Sequence, residues 1–242
     1  MAVQKIPPNY IPTLLLQKKG SFRLFDPGVY MAEKRGDSYV LGSRLLLPDE
    51  ANVFNITYLP DGSSYKVIIT GERENLKVYS DTGSMMAKTE ETYSGSPVSM
   101  SYYVMPPGMG TPTTAMESSM YYVPIRKIAV DLARTGTYDL LVTRPISMAA
   151  QFFERYRYFP QGEIHALFWD NIGLNLRWKT RRIKGAVTDF ALADVTNNGQ
   201  LDLVVCVNTY PGALGVSARR TVLMVYPLDQ GKLDTQLDQD VE

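Results

Sequence analysis

A glycine turn opening onto an apolar, β-branched run occurs three times in this chain. The copies read Asn55-Ile-Thr-Tyr-Leu-Pro-Asp-Gly-Ser-Ser-Tyr-Lys-Val-Ile-Ile, Asp131-Leu-Ala-Arg-Thr-Gly-Thr-Tyr-Asp-Leu-Leu-Val and Asp194-Val-Thr-Asn-Asn-Gly-Gln-Leu-Asp-Leu-Val-Val. With Gly62, Gly136 and Gly199 aligned, the intervals are 74 and 63 residues, the size of a propeller blade. A repeat of this length constrains the fold more than any local motif, because each unit buries its apolar faces only by stacking on its neighbours.

The third copy approaches the pattern D-x-[DN]-x-[DN]-G-x-x-D, in which oxygen side chains converge on a hard cation and glycine at the sixth position permits the sharp bend. Asp194, Thr196, Asn198 and Asp202 are the candidate calcium ligands. The same residues also suit a metal-free turn braced by hydrogen bonds from backbone N–H groups to Asp and Asn side chains. The second copy keeps Asp131 and Asp139 but places Ala133 and Thr135 between them, and the first keeps only Asp61.

These repeats resemble FG-GAP/VCBS-type β-propeller repeats, whose blades are joined by calcium-type Asp-Gly loops. The likeness extends to Arg155-Tyr-Arg-Tyr-Phe-Pro-Gln-Gly-Glu-Ile-His-Ala-Leu-Phe-Trp-Asp, Leu176-Arg-Trp-Lys-Thr-Arg-Arg-Ile-Lys-Gly and Asp189-Phe-Ala-Leu-Ala-Asp. It covers residues 20–228 and is strongest over 121–208. The resemblance implies a bacterial repeat protein of the cell envelope, periplasmic or extracellular, with further blades upstream and without catalysis. The ligand pattern departs from the family's at the first two loops.

Short strands separated by frequent turn signals predict an all-β chain: a propeller, or partial propeller, of three to four antiparallel four-stranded blades. Residues 1–13, with Pro7, Pro8 and Pro12, read as an extended N-terminal arm. Blades occupy 14–228, interrupted by a Pro-, Gly- and Met-rich loop insertion at 94–122, and a polar tail follows at 229–242. Arg35-Gly-Asp is expected as a hairpin turn. The last copy is half a blade short. Either the strands at 14–47 complete it and close four blades, or an open arc is completed by another chain, which predicts self-association or a complex.

Composition narrows the function. Lys+Arg 25 against Asp+Glu 25 gives no net charge, which argues against a nucleic-acid partner. No apolar run is long enough to span a membrane, and the N-terminus lacks the apolar centre of a signal peptide. The single cysteine, Cys206, and single histidine, His165, both lie in apolar strands and are expected to pack there. Zinc sites and nucleophile triads of ordinary composition therefore lack material, and no Gly-rich phosphate loop follows a strand. The expected role is a non-catalytic binding or scaffold module that presents propeller loops to a protein or glycan. Tyr102, Tyr103, Tyr121 and Tyr122 are the candidate contact residues, with blade packing as their alternative. A glycan-active hydrolase or lyase is the alternative function, since two suitably spaced acids would suffice for it.

Overall fold

The computed structural model describes residues 1–20, 23–104, 117–147, 157–209 and 220–228. Among them there are eighteen strands and no helix. The first sheet is a meander of β1 (Ala2–Ile6), β2 (Ile11–Leu16), β3 (Tyr30–Arg35) and β4 (Ser38–Arg44). The second repeats that order with β5 (Ile56–Asp61), β6 (Ser64–Thr70), β7 (Asn75–Tyr79) and β8 (Met85–Thr92). A separate hairpin follows, β9 (Ser99–Val104) with β10 (Glu117–Tyr122). The third sheet holds β11 (Ile128–Val130), β12 (Asp139–Ile146), β13 (Gln161–Trp169) and β14 (Leu174–Lys179), with β15 (Ile183–Lys184) also on β13. The fourth has three strands, β16 (Ala186–Ala193), β17 (Asp202–Asn208) and β18 (Thr221–Pro227). All pairing is antiparallel, and the four sheets are arranged as the blades of a β-propeller.

Burial explains why the middle strands read as continuous apolar runs. A strand covered on both faces has no reason to alternate polar and apolar residues. In β6, Val67 and Ile69 face the first sheet while Ile68 faces the third. In β12, Leu140 and Val142 face the second sheet while Leu141 faces the fourth. Three separate cores result, one in each seam between successive sheets. Each fully buried Leu or Ile contributes about 1.5–3 kcal/mol relative to exposure.

Strand direction sorts the connections into two ends. Every link from a sheet's first strand to its second lies at one end: 7–10, 62–63, 131–138 and 194–201. Gly62, Gly136 and Gly199 therefore occupy equivalent places, all with positive φ (59°, 83° and 80°). The equivalent turn of the first sheet has no glycine and uses Tyr10 at φ 52°. Hairpin turns joining third and fourth strands share this end, including Arg35-Gly-Asp, whose Gly36 has φ 61°. The opposite end carries the long connections 17–29, 45–55, 93–127, 147–160 and 209–220.

Two boundaries differ from expectation. Residues 1–13 are not a free arm, since Ala2–Ile6 turns back through Pro7–Tyr10 and pairs along Ile11–Leu16. That local hairpin occupies the edge of β2, so the strands of 14–47 build the first sheet and do not complete the last. The insertion at 94–122 contains the β9–β10 hairpin; its residues 105–116 lie outside those described, as do 229–242. β1 packs on β5, β5 on β11, and β16 on β12 and β13. Among the described residues no buried cluster joins the fourth sheet to the first.

Candidate functional site

The second and third Asp-Gly loops adopt one geometry from different sequences. Asp131 accepts the N–H of Thr135 on Oδ1 (3.0 Å) and of Gly136 on Oδ2 (2.6 Å). Asp194 accepts the N–H of Asn198 on Oδ1 (3.0 Å) and of Gly199 on Oδ2 (2.9 Å). Arg134 and Asn197, three residues after each aspartate, both sit at φ 55°. The bend thus needs an aspartate at its first position, a left-handed residue at the fourth and glycine at the sixth.

Three of the four candidate ligands ring the same loop, each bound to backbone. Besides Asp194, Asn198 Oδ1 accepts the N–H of Gln200 (2.8 Å), and the buried Asp202 accepts that of Val195 (3.1 Å). Thr196 is exposed. A carboxylate oxygen that accepts one N–H keeps a second lone pair, so this oxygen-only set with two negative charges still suits a hard cation. The other two loops have cations of their own. Arg177 Nε lies 2.7 Å from Asp139 Oδ1, and Lys66 Nζ lies 2.7 Å from Asp61 Oδ2.

A second concentration of chemistry lies in the seam between the second and third sheets. Glu163 and His165, two apart on β13, face the same way and are each 2% exposed. His165 Nε2 lies 2.8 Å from Glu163 Oε2. Burial holds the imidazole below its ordinary pKa, with Glu163 opposing that shift. With Glu163 ionised, Nε2 carries the proton and Nδ1 is left a buried acceptor without a partner among the described residues. Lys179 Nζ and Arg182 Nε both stand 3.7 Å from Glu163 Oε1. Tyr93 packs edge-on against the imidazole, its hydroxyl donating to Glu91 (2.7 Å).

Nearer the end with long connections, Arg157 grips Glu74 with two bonds of 2.7 Å and donates to the carbonyl of Ser96 (2.6 Å). Its guanidinium stacks 4.2 Å from the Tyr122 ring centre and 4.9 Å from that of Phe159. Lys127 donates to the Asn55 carbonyl (2.9 Å) and to Thr70 Oγ1 (2.8 Å), both neutral. The residue keeps some exposure, but its amine is enclosed, and desolvation lowers its pKa to about 7. Each of these groups ties the second sheet to the third.

The candidate tyrosines are divided. Tyr121 donates to Asn52 Oδ1 (3.0 Å) and meets Phe25 edge-on, with burial pushing its pKa up to about 12. Tyr122 is the platform for Arg157. Both are occupied in packing. Tyr102 is half-buried on β9, and the side chain of Tyr103 lies outside the described residues. His165 packs within its strand as expected, whereas Cys206, expected to be buried, is only half-buried because it alternates with the core residues Val205 and Val207 on β17. What the sequence reading passed over is the company His165 keeps. The available signal was an acid, Glu163, directly before the largely apolar run Ile164–Trp169 of the same strand.

Fold and site together define a four-bladed, all-β propeller with a polar seam and Asp-Gly turns. No family model matches the sequence, and no curated protein is significantly similar to it. No helix among the described residues is long and apolar enough to cross a membrane.

Proposed function

We propose that this protein is a non-catalytic binding module whose end with long connections receives a protein or glycan partner. The observation that carries this reading is the asymmetry of the two ends. One holds the shorter turns, three of them braced by their own aspartates, Asp131, Asp170 and Asp194; the other gathers the long connections over rigid sheets, the usual place for recognition. Tyrosine, methionine and arginine side chains at that end, among them Tyr158, Met120 and Arg182, offer contact area and charge. The likeness of residues 121–208 to FG-GAP/VCBS repeats supports an exported, envelope-associated setting. The oxygen set at Asp194 supports a structural calcium ion at that turn.

Affinity capture from bacterial envelope fractions, alongside a glycan array, tests the assignment. The expected outcome is a ligand retained by the wild-type chain and lost on Met120→Asp or Tyr158→Asp, but kept by Ile172→Asp at the tight-turn end. Loss of that ligand only on Ile172→Asp would place recognition at the wrong end and defeat the reading.

A further inference from the structure

The chain carries no net charge, yet its charges are unevenly placed. Residues 171–188 contain Arg177, Lys179, Arg181, Arg182 and Lys184 but no acid, and residues 203–228 contain Arg219 and Arg220 but no acid. Arg177 is held by Asp139. Strand direction carries Lys179, Arg181, Arg182, Lys184 and Arg220 to the end with long connections, on the third and fourth sheets.

Backbone contacts join these segments into one surface. Arg182 and Lys184 are exposed on either side of the buried Ile183. Lys184 pairs with Gln161, and the N–H of Gly185 donates to the Pro160 carbonyl (2.7 Å), two residues on from Tyr158, which is 37% exposed. A Cβ on Gly185 would lie 2.8 Å from the Asn208 carbonyl oxygen, so this connection lies against the end of β17. The exposed Asn208 accepts from Thr221 Oγ1 (2.8 Å), and the N–H of Thr209 donates to the Arg220 carbonyl (2.8 Å). Two strand spacings, roughly 10 Å, therefore separate Gly185 from Arg220.

The acids near this surface are already engaged. Among the described acids of the third and fourth sheets, only Glu163 and Asp189 stand in the half towards this end. Glu163 is 2% exposed and bonded to His165, while Lys179 and Arg182 come no closer to it than 3.7 Å. Asp189 takes two bonds from Arg126, of 2.7 and 2.6 Å. From the second sheet, Glu91 meets Arg144 (3.3 Å) and Glu74 is gripped by Arg157. Glu154, Arg155 and Arg219 lie outside the described residues. The Arg182 side chain is 68% exposed, and its two terminal nitrogens have no partner among the described residues. The same holds for the Lys184 amine and the Arg220 guanidinium.

We propose that this surface binds an acidic polysaccharide, one whose sugars carry carboxylates, through Arg182, Lys184 and Arg220. The inference rests on the binding-module reading above and names its partner. Charge complementarity selects the class: three cations without counter-ions are spread over successive backbone segments, and a charge repeated along a polymer meets such an array where a single small anion would not. Two of the three are guanidinium forks, which match a carboxylate through paired N–H donors. Asn208 and Thr221 supply polar groups for sugar hydroxyls, and Tyr158 supplies a ring for the apolar face of a sugar.

Isothermal titration calorimetry of the full chain with polygalacturonate, and with its fully methyl-esterified, uncharged form, tests the proposal. The wild type is expected to bind the acidic polymer at low salt, more weakly at high salt, and the ester not at all. Arg182→Ala, Lys184→Ala and Arg220→Ala are each expected to weaken binding by roughly fivefold, and Arg35→Ala at the tight-turn end to leave it unchanged. Far-UV circular dichroism checks that each variant folds. If Arg182→Ala fails that check through its contact with Glu163, Lys184→Ala and Arg220→Ala decide. Equal binding of the ester, or no effect of these substitutions, overturns the proposal. Polyglutamate or duplex DNA bound as tightly as polygalacturonate also overturns it, since the partner is then an acidic protein or a nucleic acid. Should the wild type bind no acidic polymer while envelope capture still yields a ligand lost on Met120→Asp, this inference falls and the binding-module reading stands.

Discussion

The two seams that flank the third sheet are lined by alternate residues of one strand, yet they are built differently. From β13, Ile164 and Ala166 enter the seam with the fourth sheet, where Trp178, Phe190, Ile183, Val187, Leu203 and Val205 close an apolar core. Glu163, His165 and Leu167 face the second sheet, where an apolar centre around Leu140, Val142 and Ile68 is bordered by ionic and hydrogen-bonded groups. Apolar burial is strong but not directional, so it holds two sheets together without choosing their register. Bidentate and buried polar contacts add geometry at a desolvation cost that roughly cancels their attraction. The difference teaches that stability and pH response are separated in space: the outer seam supplies the first, the inner one carries the second.

The sharpest way to break this comparison is Trp178→Ala. Trp178 is 1% exposed at the centre of the apolar seam, so its truncation leaves a cavity between two blades. The expected cost is about 3–5 kcal/mol. For a chain of this size that corresponds to a melting temperature lower by roughly 10 °C. The loss should be the same at pH 6 and pH 9, because Tyr226, the ionisable side chain packed against that core, is pushed above its ordinary value of 10.0 by burial and stays protonated across the interval. A cost under about 1 kcal/mol, or one that varies with pH, would show that the seams are not divided as described.

Lys127 sharpens the other side. In the unfolded chain its amine titrates at the ordinary 10.5, and in the folded chain at about 7, because burial disfavours the ammonium. Between those values the unfolded state holds a proton that the native state has released, so stability rises with pH across that window. The slope is at most roughly 1.4 kcal/mol per pH unit. Below pH 7 both states are charged, so the slope vanishes and the cost of burying the ammonium is fully present. Lys127→Met should flatten the curve between pH 7 and 10 and raise stability at pH 7, read by urea denaturation across pH. A wild-type stability that falls over that interval would contradict the sign.

Much of the fold was legible in the residues because its punctuation is local. A glycine needed at positive φ marks the same turn in three sheets, and β-branched runs such as Val67–Ile69 and Leu203–Val205 announce strands covered on both faces. The first sheet's copy stayed hidden because its turn, Pro7–Tyr10, makes the bend without glycine. The polar seam was illegible for a different reason. Arg157 and Glu74 are 83 residues apart, and Lys127 reaches Asn55 and Thr70 across 72 and 57, so their pairing depends on how blades stack. His165 was correctly placed in a packed strand, but its bond to Glu163 required knowing that both side chains turn inward together.

The smallest expected effect concerns the two matching loops. A Cβ added at Gly136 or Gly199 would meet no atom within 4 Å, so alanine at either position is opposed only by the left-handed backbone, at φ 83° and 80°. Since Asp131 and Asp194 brace the two bends through the same pair of N–H groups, Gly136→Ala and Gly199→Ala should each cost about 1 kcal/mol, equal within error in chelator. Calcium should separate them. Arg177 already neutralises Asp139 beside the first of these loops, whereas Asp202 beside the second is held by a backbone N–H. Added calcium is therefore expected to raise the melting temperature of the wild type and of Gly136→Ala, and to leave Asp194→Asn unmoved. Equal melting curves with calcium and with chelator would reduce the Asp194 loop to what its twin already is, a turn closed by its own aspartate.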